Sequence, residues 1–259
     1  MIDEVMMLRH GRTQYNLEHR LQGQIDVPLD IVGQWQVDQT GFALASRYYW
    51  AKVNRLAEHP EAIAQPGPDA AERTDTRQFE EAPAAGRRMV VMTSDLFRAQ
   101  QTAHAFADIL GLPVTCDQRL RERSFGDWEG IAVEELAKRF PEDYLSWAQF
   151  RGGELKYGAE PKQNVGRRGV EALNDWASKA GSDTDLYVFS HGAWISQTLQ
   201  TLLGLSEVHG DFADILSMRN AHWVRLAPLE LQGALRWRLV DYNHGPAIAD
   251  TEQWEHPQL

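Results

Sequence analysis

Apolar residues gather into five runs along this chain, at residues 5–8, 89–93, 186–189, 222–226 and 235–240. The first three are nearly uninterrupted, the pattern of central strands covered on both faces. The last two, HWVRL and LRWRLVDY, alternate apolar with polar positions and predict a half-buried pair near a sheet edge. Between the runs, apolar residues recur at helical spacing. They predict a helix through the forties with Asp30 as its N-cap, and further helices at 97–110, 132–140, 165–180 and 194–203. Gly111 and Gly204 read as C-terminal stops. Strands alternating with helices predict an α/β fold, a three-layer α/β/α sandwich around a mainly parallel sheet.

One segment breaks the pattern. Residues 58–88, rich in Pro, Ala and charge and poor in large apolar residues, read as a solvated insertion or mobile loop; a lid or partner-docking element is the sharper alternative. No repeat or second domain boundary is visible, so residues 1–259 are expected to form a single domain carrying this insertion.

Composition narrows the function. A formal net charge of -11 argues against nucleic-acid and anionic-membrane partners, whose phosphates it repels. A small anionic substrate is still compatible, provided positive groups are concentrated in one pocket. The single cysteine, Cys116, excludes an internal disulfide and fits a reducing compartment. The N-terminus has no signal-peptide pattern, and no apolar run reaches the roughly 18 residues of a membrane span. A cytoplasmic protein is expected.

Chemistry concentrates where strands end. VMMLRHGRTQYN runs from an apolar strand into Arg9, His10 and Gly11, and LYVFSHGAWISQTL repeats this at His191 and Gly192. A third strand, in MVVMTSDLFRAQQTA, ends just before Arg98 on the first turn of a predicted helix. In open α/β sheets functional groups collect at the carboxyl ends of strands, and helix N-termini there attract anions. Guanidinium groups grip phosphoryl oxygens through paired hydrogen bonds and favour a neutral, nucleophilic imidazole beside them. LRERSFGDWEG brings Glu122, Asp127 and Glu129 close in sequence, among apolar Phe125 and Trp128; a partly buried carboxyl of raised pKa there could protonate a leaving alkoxide. Asn16, Gln22 and the backbone at Gly23 are candidates to orient substrate. Each fragment alone has an ordinary structural explanation, and Trp128, Trp147 and Trp194 read as packing residues.

Together, LRHGRTQYN, RLQGQIDVPLDIVGQWQ, SDLFRAQQTA, LRERSFGDWEG, GAEPKQNVGRR and SHGAWI resemble, in order, the histidine phosphatase superfamily, in the branch similar to cofactor-dependent phosphoglycerate mutases. The resemblance spans about residues 4–226. It implies a phosphoglycerate mutase-like fold with a mainly parallel, mixed sheet. It also implies that His10 becomes phosphohistidine, that Arg9, Arg98 and His191 form the phosphate pocket, and that Glu122 protonates the leaving group and then activates water. Asn16, Gln22 and Gly23 would line the substrate pocket. Neither a metal nor another cofactor is implied, and the nine histidines form no HExxH or comparable ligand spacing.

LQGQIDVPL resembles the phosphatase form of its loop rather than the FTGWxD of true mutases, and no ERRYGxLxGLNK segment follows the acidic motif. A phosphomonoester hydrolase acting on a small phosphorylated metabolite, a sugar phosphate or phosphoglycerate derivative, is therefore expected. A phosphoglycerate mutase and a regulatory binding protein on the same fold are the alternatives. GAEP stands where GGES is usual, which leaves the contacts of Glu160 and Pro161 open. Trp147, Phe150, Arg151, Lys156 and Tyr157 either face substrate or simply pack a lid or face solvent. A homodimer is common among similar proteins, but no feature of this sequence argues for one.

Overall fold

The computed structural model describes residues 2–58, 88–182, 184–231 and 234–259. All five apolar runs form strands, and a sixth joins them. β1 (Glu4–Arg9), β2 (Arg88–Thr93), β3 (Val114–Cys116), β4 (Thr184–Ser190), β5 (Trp223–Leu231) and β6 (Ala234–His244) build one sheet in the order β3-β2-β4-β1-β5-β6. The first four strands run parallel, whereas β5 is antiparallel to β1 and β6 antiparallel to β5. The sheet is thus mainly parallel and mixed.

Strict alternation divides the core. Val5 and Met7 of β1 and Leu186 and Val188 of β4 point to one face, against Val165 and Leu173 of α6 (Lys162–Ala180) and Ile195 and Leu199 of α7 (Gly192–Leu202). Met6, Leu8, Tyr187 and Phe189 point to the other, against Leu44 of α2 (Ile31–Glu58) and Ala103 and Phe106 of α3 (Phe97–Ala107). A strand buried on both faces needs apolar residues at every position, hence the uninterrupted runs. Each fully buried aliphatic side chain contributes about 1.5–3 kcal/mol.

The helix boundaries have local causes. The Asp30 carboxylate accepts the Gly33 N–H at 2.6 Å, capping α2 as expected. Gly111 adopts φ 64° and Gly204 φ 75°, the left-handed geometry of a helix stop. The remaining helices are α1 (Gln14–Leu17), α4 (Val133–Arg139), α5 (Pro141–Ala148) and α8 (Leu205–Val208).

Some boundaries differ from the sequence reading. The strand expected at 222–226 starts one residue later and runs on to Leu231, because Ala221, at φ 56°, turns the chain just before it. The helix expected at 97–110 ends at Ala107 and tightens into a 3-10 turn. Residues 59–87, nearly all of the 58–88 insertion, lie outside the described residues; Glu58 closes α2 and Arg88 opens β2. Among the described residues, no helix is long and apolar enough to cross a membrane.

Candidate active site

β1 and β4 are adjacent, parallel and in a register that pairs Arg9 with Ser190. Both strands therefore deliver the next residue, His10 and His191, to the same edge of the sheet. Their rings lie 5.2 Å apart, centroid to centroid, inclined at 60°. The His10 N–H donates to the Ser190 carbonyl at 3.0 Å, locking the two strand ends together. In the side chain, Nδ1 lies 2.7 Å from the Gly11 carbonyl. A carbonyl only accepts, so Nδ1 carries the proton and Nε2 keeps its lone pair.

Gly11 makes this turn possible. A Cβ there would meet the Gly33 carbonyl oxygen at 2.5 Å and Val37 of α2 at 2.7 Å. Gly192 serves a similar purpose, since its Cβ would press on the Arg9 guanidinium at 3.3 Å. Close packing against backbone thus requires the glycine after His10, whereas the one after His191 spares the side chains of Ser217 and Arg9 from displacement.

Two arginines face the histidines. Arg98 is fully buried; its terminal nitrogens donate to the Ile25 and Gly23 carbonyls, each at 2.8 Å, while Nε has no partner among the described residues. Arg9 donates to the Met218 carbonyl, and its buried Nε is likewise unpartnered. Both ring nitrogens of His191, which is fully buried, also lack hydrogen bonds among the described residues. Burial lowers the pKa of Arg98 to about 10, against the opposing charge of Glu122; Arg9 moves down for the same reason, again opposed by Glu122. Both stay cationic at neutral pH. Burial, then the charges of Arg98 and Arg9, hold His10 well below its ordinary value, and burial followed by Arg98 does the same for His191. Four buried polar groups that normally demand partners therefore converge on one spot.

Glu122 approaches from the segment after β3. Its carboxylate accepts the N–H of Ala193 at 3.1 Å, of Trp194 at 2.9 Å and of Arg123 at 2.8 Å. The acid is held at the N-terminus of α7, the helix that begins directly after His191, where unpaired N–H groups attract an anion.

The three other predicted residues surround this cluster in different ways. Asn16 uses Oδ1 to accept from Thr13 and from Asn220. Asn220 in turn donates to the His10 carbonyl at 3.0 Å, so the asparagines brace the loop that carries His10. Gln22 is buried with Oε1 unpartnered among the described residues. Gly23 adopts φ 52° and contributes its carbonyl to Arg98.

The lid candidates divide. Trp147 and Tyr157 pack on Trp128, with ring centroids 5.9 and 5.0 Å away, and Lys156 pairs with Asp143 at 2.7 Å. Trp147 and Tyr157 thus join an aromatic cluster, with the Lys156 ammonium 5.3 Å from the Tyr157 ring centroid. Phe150 and Arg151 line a separate cleft of about 210 Å³ with Arg123, Glu154 and Lys162. The contacts left open at Glu160 are now defined: its carboxylate takes two hydrogen bonds from Arg168, at 2.9 and 3.0 Å. Arg168 was not singled out from the sequence, although it lies in the GAEPKQNVGRR fragment eight residues after Glu160, about two helical turns.

A family sequence model, that of the histidine phosphatase superfamily (branch 1), matches residues 5–66 and 69–243. The chain belongs to this superfamily. Over 96% of its length, this phosphatase is 30% identical to the glucosyl-3-phosphoglycerate phosphatase of Mycolicibacterium vanbaalenii, of which 98% is covered. It is 31% identical over 206 residues to a probable phosphoglycerate mutase of Yersinia enterocolitica, with 78% of this chain and 75% of that one aligned. A mycobacterial glucosyl-3-phosphoglycerate phosphatase in complex with VO3 superposes with a TM-score of 0.70 at 25% identity, covering 94% of this chain and all of the other.

Proposed function

We propose that His10 is the nucleophile of this phosphatase and that its substrates are phosphomonoesters of sugar-linked or glycerate-like metabolites. The observation that carries the site assignment is the convergence of nitrogens of Arg9, Arg98 and His191, without partners among the described residues, around an imidazole whose Nδ1 donates to the Gly11 carbonyl and so leaves the lone pair on Nε2. The substrate class rests on the likeness, over nearly the whole chain, to a protein named for glucosyl-3-phosphoglycerate.

In this reading Nε2 of His10 attacks phosphorus, the N–P bond forms and the ester O–P bond breaks. Arg9, Arg98 and His191 hold the equatorial oxygens, whose charge is spread over all three, through preorganised donors in a dry site. Glu122 gives a proton to the departing alkoxide. It then takes a proton from water, whose oxygen attacks phosphorus, the N–P bond breaks and inorganic phosphate leaves. Because the protein supplies nucleophile, charge and proton, the reading requires no metal. The lone, exposed Cys116 supports a cytoplasmic setting as part of the same proposal.

The test is a screen of phosphorylated metabolites by kcat/KM in the presence of a chelator, with His10→Ala as control. Retained activity in chelator, absent from His10→Ala and trapped as a phosphoenzyme in wild type, supports the proposal. Undiminished turnover by His10→Ala sinks it. Faster phosphoryl transfer between phosphoglycerates than hydrolysis would make the chain a mutase.

A further inference from the structure

Every carbonyl of residues 119–122, the segment that carries Glu122, is held from outside. The Arg119 carbonyl accepts from Arg168 at 2.7 Å and from the Trp194 indole at 2.8 Å. The Leu120 carbonyl accepts from the Ser190 hydroxyl at 2.7 Å, and the Arg121 carbonyl from Arg168 at 2.6 Å. The Glu122 carbonyl accepts from Arg168 at 3.1 Å and from Gln24 at 3.2 Å. One guanidinium on α6 thus reaches three of the four carbonyls. Its remaining capacity goes to the bidentate pair with Glu160. Glu160 is itself fixed, because its N–H donates to the Ser124 carbonyl at 2.9 Å and its carbonyl accepts from Arg123 at 2.6 Å. A rigid fork held by a carboxylate is the geometry in which arginine fixes several acceptors at once.

A surface loop needs no such bracing, and in this segment it is the Glu122 side chain that accepts the N–H groups at the N-terminus of α7. We infer that Arg168, oriented by Glu160, is a positioning residue for proton delivery: it sets where the Glu122 carboxyl stands relative to the ester oxygen. Arg168 does not touch the reacting atoms in this reading; it acts through the backbone of 119–122. The inference rests on the proposed acid role of Glu122. It assigns a purpose to GAEP and the arginine eight residues on, which the catalytic scheme leaves unused.

The consequence is a dependence on the leaving group. An alkoxide requires a proton as it departs, whereas p-nitrophenolate leaves readily as an anion. We therefore compare kcat/KM, which covers the steps through the first phosphoryl transfer, for an alkyl phosphate substrate and for p-nitrophenyl phosphate. Glu122→Gln, Arg168→Lys and Glu160→Gln are each compared with wild type. Arg168→Lys keeps the charge and loses the fork. It is expected to lower the alkyl value about 100-fold, the scale of a misplacement near 1 Å, and the aryl value less than about 5-fold, a small part of what general acid catalysis supplies. Glu122→Gln should share this selectivity and Glu160→Gln should show it more weakly. Equal losses for both esters in Arg168→Lys, beside a selective Glu122→Gln, overturn the positioning role. Equal losses in Glu122→Gln instead overturn the acid assignment, and this inference with it. If Arg168→Lys does not yield folded protein, Glu160→Gln decides, since Arg168 then keeps its carbonyl partners; an unselective loss there overturns the role.

Discussion

An imidazole can attack phosphorus only while it is neutral, and the surroundings of His10 favour that form. Burial acts first, then the charges of Arg98 and Arg9, all disfavouring the imidazolium. Nitrogen-15 NMR of the ring should therefore show a neutral, Nδ1-protonated tautomer at pH 6, where a free histidine is largely charged; an imidazolium signal there would contradict the assignment. Removing one cation, in Arg98→Met, should raise the titration midpoint. A third buried histidine lies outside the cluster of His10 and His191. His222 faces the Asn220 carbonyl at 2.9 Å, and burial pushes it down to about 4. The sign follows from proton uptake. On acidification the unfolded chain binds a proton near pH 6.5, the folded one only near 4, so stability present above 6.5 is lost on the way down. Between pH 7.5 and 5 this single group should cost about 2 kcal/mol in urea melts, a loss reduced by that amount in His222→Gln. His10 and His191 move in the same direction and add to the loss.

At the scale of elements, the position of His10 depends on how closely α2 approaches the loop after β1. Gly33, in the first turn of α2, would place a Cβ 1.9 Å from the Arg12 carbonyl oxygen. Backbone blocks that contact, so Gly33→Ala must push the helix away from the loop that holds His10. It is expected to lower kcat/KM by one to two orders of magnitude, about the effect of a 1 Å displacement, and to destabilise by about 1–3 kcal/mol through overpacking; unchanged steady-state kinetics would show that helix and loop are not coupled. The long elements were legible because burial imposes a period: β1 and β4 need apolar residues at each position, and Asp30 must cap α2. β3 was not, since it has three residues, two of them exposed, and leaves no alternation to read. α5 was missed as well, although Pro141 at its start with Glu142 and Asp143 after it is a helix-initiating pattern. The site's charged members could be read from strand ends, whereas the braces could not. Arg168 and Asn220 serve by donating to main-chain carbonyls, and no side-chain pattern marks a carbonyl in need of a partner.

On the whole molecule, a net charge of -11 surrounds a site lined by buried cations. The folded form alone assembles that site, so an oxyanion that fills it should stabilise the entire fold. Orthovanadate or inorganic phosphate at 100 times its dissociation constant should add about 2.7 kcal/mol, read as a higher melting temperature. The increment should vanish in Arg98→Met; an equal rise in that variant would place the ion elsewhere.

The strand order has one more consequence. β1 is made first, yet both its sheet neighbours, β4 and β5, come from the last third of the chain, and Arg9 pairs with Ser190. During synthesis the first strand must wait, unpaired, until some 180 further residues have been made. Non-local pairing of this kind is slow, and strands left open are prone to association. It also means that no chain ending before His191 can join the two histidines. Catalysis is therefore an all-or-none reporter of finished folding: a nascent or truncated chain ending before residue 190 should be silent, however much of its local structure has formed.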